Sequence, residues 1–185
     1  MVAAVVLAAG AATRFGAPKQ RLLLPEVLRR VRGSAEIDDI VVVLGAHEVT
    51  VDARTVRCGE WARGPGASLR CGLAALPDTA EAAVVVLADG PDLAPSAIDR
   101  VVAEWRAGRG NVLAATYGGR RSHPVLVARA AWNAVPDGGL RSVDATPVPC
   151  DDLGDPGDVD YPEDLDHPGL DAGEAAHEGK NRSVR

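Results

Sequence analysis

The feature that most constrains this chain is a set of apolar runs too short for a membrane and too unbroken for a surface strand. Val2–Ala9 is apolar throughout and opens directly on Gly10. Asp39–Gly45 repeats the pattern as DIVVVLG, and Ala83–Ala88 ends on Asp89. A strand apolar on both sides must be covered on both faces, which is the condition of a central parallel strand between helices. Helical periods lie between these runs. Glu26–Arg32 places Val27, Leu28 and Val31 together, and Ser68–Leu76 places Leu69, Gly72, Leu73 and Leu76 on one face. Ser96–Arg106 follows Pro95 with Ile98, Val101, Val102 and Trp105 on one stripe. Thr55–Cys58 reads as a short edge strand, Asn111–Tyr117 and Pro124–Val127 as further strands, and Ala128–Val135 as a short helix. The expectation is an α/β fold: a single doubly wound, mostly parallel sheet with helices on both faces and right-handed crossovers. Ligands of such sheets bind beyond the carboxyl ends of the strands. From Asp166 onward the apolar period is lost, so residues 1–166 are expected to form the domain and His167–Arg185 a disordered tail.

Composition narrows the partners. The chain of 185 residues carries a net charge of -6 and only 3% aromatic residues. Acidity argues against duplex binding, and the scarcity of aromatic rings against single-strand stacking. No apolar run reaches the roughly 18 residues that span a bilayer, and Val2–Ala9 lacks the basic flank of a signal peptide. No nucleic-acid or membrane partner is therefore expected. Cys58, Cys71 and Cys150 show neither metal-ligand spacing nor a disulfide framework, so a reducing cytoplasm is the expected setting.

The loop after the first run holds the densest chemistry. Leu7–Gln20 carries Gly10, Arg14, Gly16 and Lys19. It is neither a P-loop, since five residues separate Gly10 from Gly16, nor a GxGxxG turn. It still has the parts of a polyphosphate site: glycines that let backbone N–H groups approach an anion, a guanidinium fork and an ammonium. Lysine occurs only at Lys19 and Lys180 among twenty Lys and Arg residues, which singles out Lys19. An ordinary surface loop is the alternative.

Leu7-Ala8-Ala9-Gly10, Arg14, Gly16, Pro18-Lys19-Gln20 and Leu22-Leu23 resemble the LAAGxSxRxGxPKxLL signature of the molybdenum-cofactor nucleotidyltransferase-like superfamily, which includes molybdenum cofactor cytidylyl- and guanylyltransferases. The resemblance covers roughly residues 2–165 and implies a Rossmann-like nucleotidyltransferase that moves a nucleoside monophosphate from an NTP with Mg²⁺ and releases pyrophosphate. It implies Leu7, Ala8, Ala9, Gly10, Arg14, Gly16 and Lys19 around the nucleotide, with Arg14 and Lys19 neutralising charge on the triphosphate.

Later segments extend it. Trp61, Gly64 and Gly66–Leu73 resemble the W-x-x-G…S-L-x-x-G-L element of the cytidylyltransferase branch, which favours CTP over GTP and adds Ser68 and Gly72 to the nucleotide side. On physics alone Ser68 also reads as a helix N-cap. Asp89-Gly90-Pro91-Asp92 resembles the D-Q-P turn whose Asp holds the metal; a turn-initiating role is the alternative. Asp158-Val159-Asp160-Tyr161-Pro162-Glu163-Asp164-Leu165 resembles D-I-D-T-P-E-D-L. There Asp160, with Asp158 close behind, is the implied second metal contact, and a solvated acidic loop the alternative. Arg121-Ser122-His123-Pro124-Val125 resembles R-G-H-P-V, and Asp137–Arg141 resembles G-D-x-G-x-R. These place Arg121, His123 and Arg141 at a phosphorylated acceptor, implied to be molybdopterin.

Two departures stand out. Pro25 runs straight into Glu26 where relatives have a longer link, and Ser142–Pro149 is short and broken by proline. They leave open another phosphate acceptor, or an accessory nucleotide-binding protein that works with a molybdoenzyme maturation partner. No Ser-His-Asp or Cys-His arrangement is legible, which disfavours a hydrolase.

Overall fold

Burial explains why the first apolar run sits where it does. In the computed structural model, which describes residues 1–11 and 20–157, β1 (Val2–Ala8) pairs in parallel with β2 (Asp39–Leu44) on one side. On its other side it pairs in parallel with β4 (Ala82–Leu87). Val2, Ala4, Val6 and Ala8 face α1 (Gln20–Arg32) and α3 (Pro95–Arg106), while Ala3 and Val5 face α2 (Pro65–Ala74). Alternate residues thus feed two separate cores, and neither face of the strand is left for water.

The remaining strands are β3 (Arg54–Arg57), β5 (Val112–Tyr117), β6 (Arg120–Ala128) and β7 (Thr146–Pro149), giving the sheet order β3-β2-β1-β4-β6-β5-β7. The sheet is parallel except for β6, which runs antiparallel between β4 and β5. A two-residue turn makes this reversal. Gly118 and Gly119 have φ of +58° and +73°, which the tight hairpin geometry requires at both positions. The expected α/β sheet with helices on both faces is present.

Several local expectations are corrected. The first helix begins at Gln20 instead of Glu26 and carries Pro25 inside it. Leu23, Leu24, Val27, Leu28 and Val31 form one buried stripe, and that burial outweighs the backbone hydrogen bond that Pro25 cannot donate. Glu26 then sits between Arg29 and Arg30, which hold its carboxyl down to about 2. The short helix after β6 is a 3-10 helix over Arg129–Ala134. β7 was not legible as a strand because prolines interrupt it. It lies at the sheet edge and pairs only with β5, so Pro147 and Pro149 cost it little.

The cysteines are also corrected. Cys58, just after β3, is joined by a disulfide to Cys71 in α2, with their Cα atoms 5.7 Å apart. Their spacing has no signature in sequence; the packing of α2 beside the edge strand creates the pair. The cysteine argument for a reducing compartment is therefore removed. Cys150 is buried and free. No helix among the described residues is long and apolar enough to cross a membrane.

The disulfide closes a loop with a sequence separation of 13 residues, for which chain entropy allows about 3 kcal/mol. A dithiol reductant should therefore lower Tm by several degrees, while Cys71→Ser should have the lower Tm and ignore the reductant. An unmutated protein whose Tm is the same with and without reductant would contradict this.

Candidate active site

The carboxyl end of β1 is anchored by three donors to successive carbonyls. The Ala46 N–H donates to Ala9 at 3.1 Å, the Gln20 side-chain amide to Gly10 at 2.8 Å, and the His47 ring nitrogen Nε2 lies 2.9 Å from the Ala11 carbonyl oxygen. Gly45 permits this approach, since a Cβ there would lie 2.5 Å from the Ala9 carbonyl oxygen and 2.7 Å from Trp61. The start of the glycine loop is thus tied to the ends of β2 and α1. Gln20 belongs to the resembling motif but was given no role from sequence. Arg14, Gly16 and Lys19 lie outside the described residues.

Beyond the strand ends opens a cavity of about 490 Å³. Leu7 from β1, Val85 and Leu87 from β4, Val125 from β6 and Leu69 from α2 give it an apolar floor. Asp89 and Asp155 bring negative charge, and Arg121, Arg141 and His123 complete the polar wall. Five of the residues singled out from sequence, Leu7, Asp89, Arg121, His123 and Arg141, therefore share one cavity. Others do not join it through their side chains. Ala8 and Ala9 are buried in the two cores, and Gly10 is exposed.

Ser68 and Gly72 need correction. Helix α2 is capped at Gly64 and starts at Pro65, so Ser68 is a buried residue of its first turn and not the N-cap. Gly72 faces the sheet: an added Cβ would lie 2.5 Å from Val5 and 2.7 Å from Val43. Close helix–sheet packing requires a glycine at that position.

An irregularity in β6 brings its residues to the cavity. Ala114 pairs with Val125 and Thr116 with Arg121, so β6 has extra residues between these pairs. Such bulges re-aim side chains, and here they present Arg121, Ser122 and His123. Burial pushes the His123 imidazole down to about 4; the Asp89 charge opposes the shift, and Arg121 and Arg141 reinforce it. His123 is thus neutral at pH 7. The Tyr117 hydroxyl donates to the His123 carbonyl at 3.4 Å, and Arg121 donates to the Val143 carbonyl at 2.6 Å.

The acidic side was only partly legible. Asp92 N–H donates to the Pro156 carbonyl at 3.0 Å, which lays residues 155–157 along the Asp89–Asp92 turn. This makes Asp155 a cavity carboxylate that sequence reasoning missed, its motif lying one step further on. Asp158 and Asp160 lie outside the described residues; Gly157, which precedes them, lines the cavity. Among the described residues no three His, Cys, Asp or Glu side chains cluster as a metal site. Two carboxylates, Asp89 and Asp155, on one cavity nonetheless match the oxygen chemistry of a hard divalent cation.

The His123 shift has a testable sign. Its folded pKa lies below the unfolded value, so stability from this group is full above about pH 6.5 and falls as pH drops toward 4. The His123 ring protons should titrate with a midpoint near 4 by NMR. A midpoint near 6.5 would contradict the geometry.

The comparisons with known proteins agree with this picture. The model of the MobA-like NTP transferase domain matches residues 4–145. Rv0371c from Mycobacterium tuberculosis H37Rv has a TM-score of 0.73 and 28% identity over 89% of this chain and 94% of that one. Its homologue from Mycobacterium sp. strain JC1 has a TM-score of 0.72 and 28% identity over 89% and 92%. A manganese complex of Rv0371c has a TM-score of 0.69 and 25% identity over 89% and 95%. No curated protein matches the chain. With its sheet, its strand-end cavity and a family match over most of its length, the chain belongs to the MobA-like NTP transferase domain family and is a nucleotidyltransferase.

Proposed function

We propose that this enzyme transfers CMP from CTP to the phosphate of molybdopterin and releases pyrophosphate. The observation that carries the reading is the convergence of Asp89, Arg121, His123 and Arg141 on one cavity at the strand ends. An acceptor phosphate oxygen attacks the α-phosphorus of the NTP in line, forming a P–O bond as the bond to pyrophosphate breaks. The acceptor phosphate is already ionised near pH 7, with its second pKa near 6. No general base is required, which fits a His123 held neutral.

Arg121 and Arg141 hold the acceptor's phosphate, and the neutral His123 adds a hydrogen bond without adding charge. Arg14 and Lys19 act as the catalytic cations on the triphosphate, and the first loop with Ser68 surrounds the nucleotide. The cytidine preference rests on the resemblance carried by Trp61, Gly64 and Gly66–Leu73. Gly72 supports the reading only by letting α2 approach β1. The family's metal dependence, and a manganese complex of Rv0371c, support a divalent cation, read here as Mg²⁺. Asp89 with Asp160 or Asp158 would hold it, and when bound it supplies neutralisation of phosphate charge. We further read residues 1–166 as the catalytic unit and residues 167–185 as a disordered tail. A molybdoenzyme maturation partner would receive the product.

The test is pyrophosphate release from CTP and Mg²⁺ with molybdopterin. Asp89→Asn should reduce turnover at least 100-fold with the fold retained by circular dichroism, and Lys19→Ala should weaken CTP more than CMP. Near-normal turnover of Asp89→Asn would contradict the metal assignment. Equal weakening of CTP and CMP would contradict the role of Lys19.

A further inference from the structure

The wall that carries Arg141 has little regular structure of its own, only a 3-10 turn over Leu140–Ser142. Its position is set from outside. The Asp137 carboxylate lies between two guanidinium groups that both belong to α2 or the turn leading into it. Arg63 Nη2 lies 3.1 Å from Asp137 Oδ2, and Arg70 Nη2 contacts Oδ1. The other fork of Arg70 donates to the Val135 carbonyl at 2.8 Å, and the Gly66 N–H donates to the Asp137 carbonyl at 3.0 Å. Four donors from α2 and the turn leading into it thus converge on Val135–Asp137. The backbones meet without slack: a Cβ on Gly66 would lie 1.7 Å from the Pro136 carbonyl oxygen, and Gly64 and Gly139 adopt positive φ at the same junction. At the far end of the wall, Arg121 holds the Val143 carbonyl.

These charges are at the surface. The Asp137 side chain is 48% exposed and that of Arg70 35%. Exposed ion pairs contribute little to global stability, so the consequence of this cluster is local: it fixes where Gly138–Arg141 stands. Both arginines hold the Asp137 carboxyl below its usual range, Arg70 foremost, so the clamp stays charged across the neutral range.

We propose that Asp137, gripped by Arg63 and Arg70, is a positioning residue that sets the Gly138–Arg141 wall for the phosphorylated acceptor and does not contribute to nucleotide binding. The inference rests on reading this cavity as the acceptor site. Asp137 itself touches no substrate; it acts through Arg141, four residues on.

The experiment uses phenyl phosphate as a surrogate acceptor, titrated calorimetrically into the full chain, with CTP titrated separately. Asp137→Asn should weaken phenyl phosphate about tenfold, leave CTP within twofold and leave Tm nearly unchanged. Amide exchange at Gly138–Arg141 should quicken, while that of β1 and β4 stays the same. Arg63→Gln, which spares Arg70, should give a smaller change in the same direction, and it decides the matter if Asp137→Asn does not fold. Equal weakening of phenyl phosphate and CTP would overturn the proposal by showing a general structural role. Arg141→Ala separates the two layers of the argument. If it weakens phenyl phosphate and Asp137→Asn does not, the clamp is wrong and the acceptor site stands. If Arg141→Ala has no effect, or the unmutated chain does not bind phenyl phosphate, the reading of the cavity fails and the clamp with it.

Discussion

Everything in this structure depends on burying β1 from both sides. Val2, Ala4 and Val6 pack under α1 and α3, and Ala3 and Val5 pack over α2. A strand enclosed in this way has no solvated face on which to carry a functional side chain. Polar chemistry is therefore pushed to the strand ends, where the carbonyls of Ala9, Gly10 and Ala11 are each held by a donor from a neighbouring element. The core thus decides where the site stands, before any catalytic residue is considered.

The cavity at those ends is lined by both signs of charge. Asp89 and Asp155 supply the anions, Arg121 and Arg141 the cations, and the imidazole of His123 lies among them without charge. The cavity offers two guanidinium groups together with the apolar side chains of Leu7, Leu69 and Val125. The bulge in β6, which follows the hairpin at Gly118-Gly119, presents Arg121, Ser122 and His123 to this wall.

The buried strands and the helix stripes were legible in the sequence because each is encoded locally, by an unbroken apolar run or a helical period. Asp89, Arg121, His123 and Arg141 were found because motifs mark them, and the fold brings them together. What was not legible depends on distant packing. The Cys58–Cys71 pair exists because α2 lies against the edge strand, and Asp155 counts because residues 155–157 lie along the Asp89 turn. The start of α1 was misread because Pro25 ordinarily ends a helix, and β7 was missed because its prolines are harmless only at an edge. Gly72 belonged to a resembling motif, but only the distance from Val5 reveals that it serves packing. Gly64-Pro65-Gly66 and Pro136–Gly139 meet at one close backbone junction, and nothing in the sequence says that they contact each other.

The central claim is that the strand-end site of this fold binds a nucleoside triphosphate together with a divalent cation, with cytidine preferred. Thermal unfolding measured with CTP, GTP, ATP and UTP, each with and without Mg²⁺, tests it most directly. A ligand that binds only the folded chain, present at a hundred times its Kd, adds about 2.7 kcal/mol. The account predicts a clear rise in Tm with CTP that requires Mg²⁺ and is smaller for the other three. A rise led by GTP would contradict the base preference, and no rise with any nucleotide would contradict the site itself.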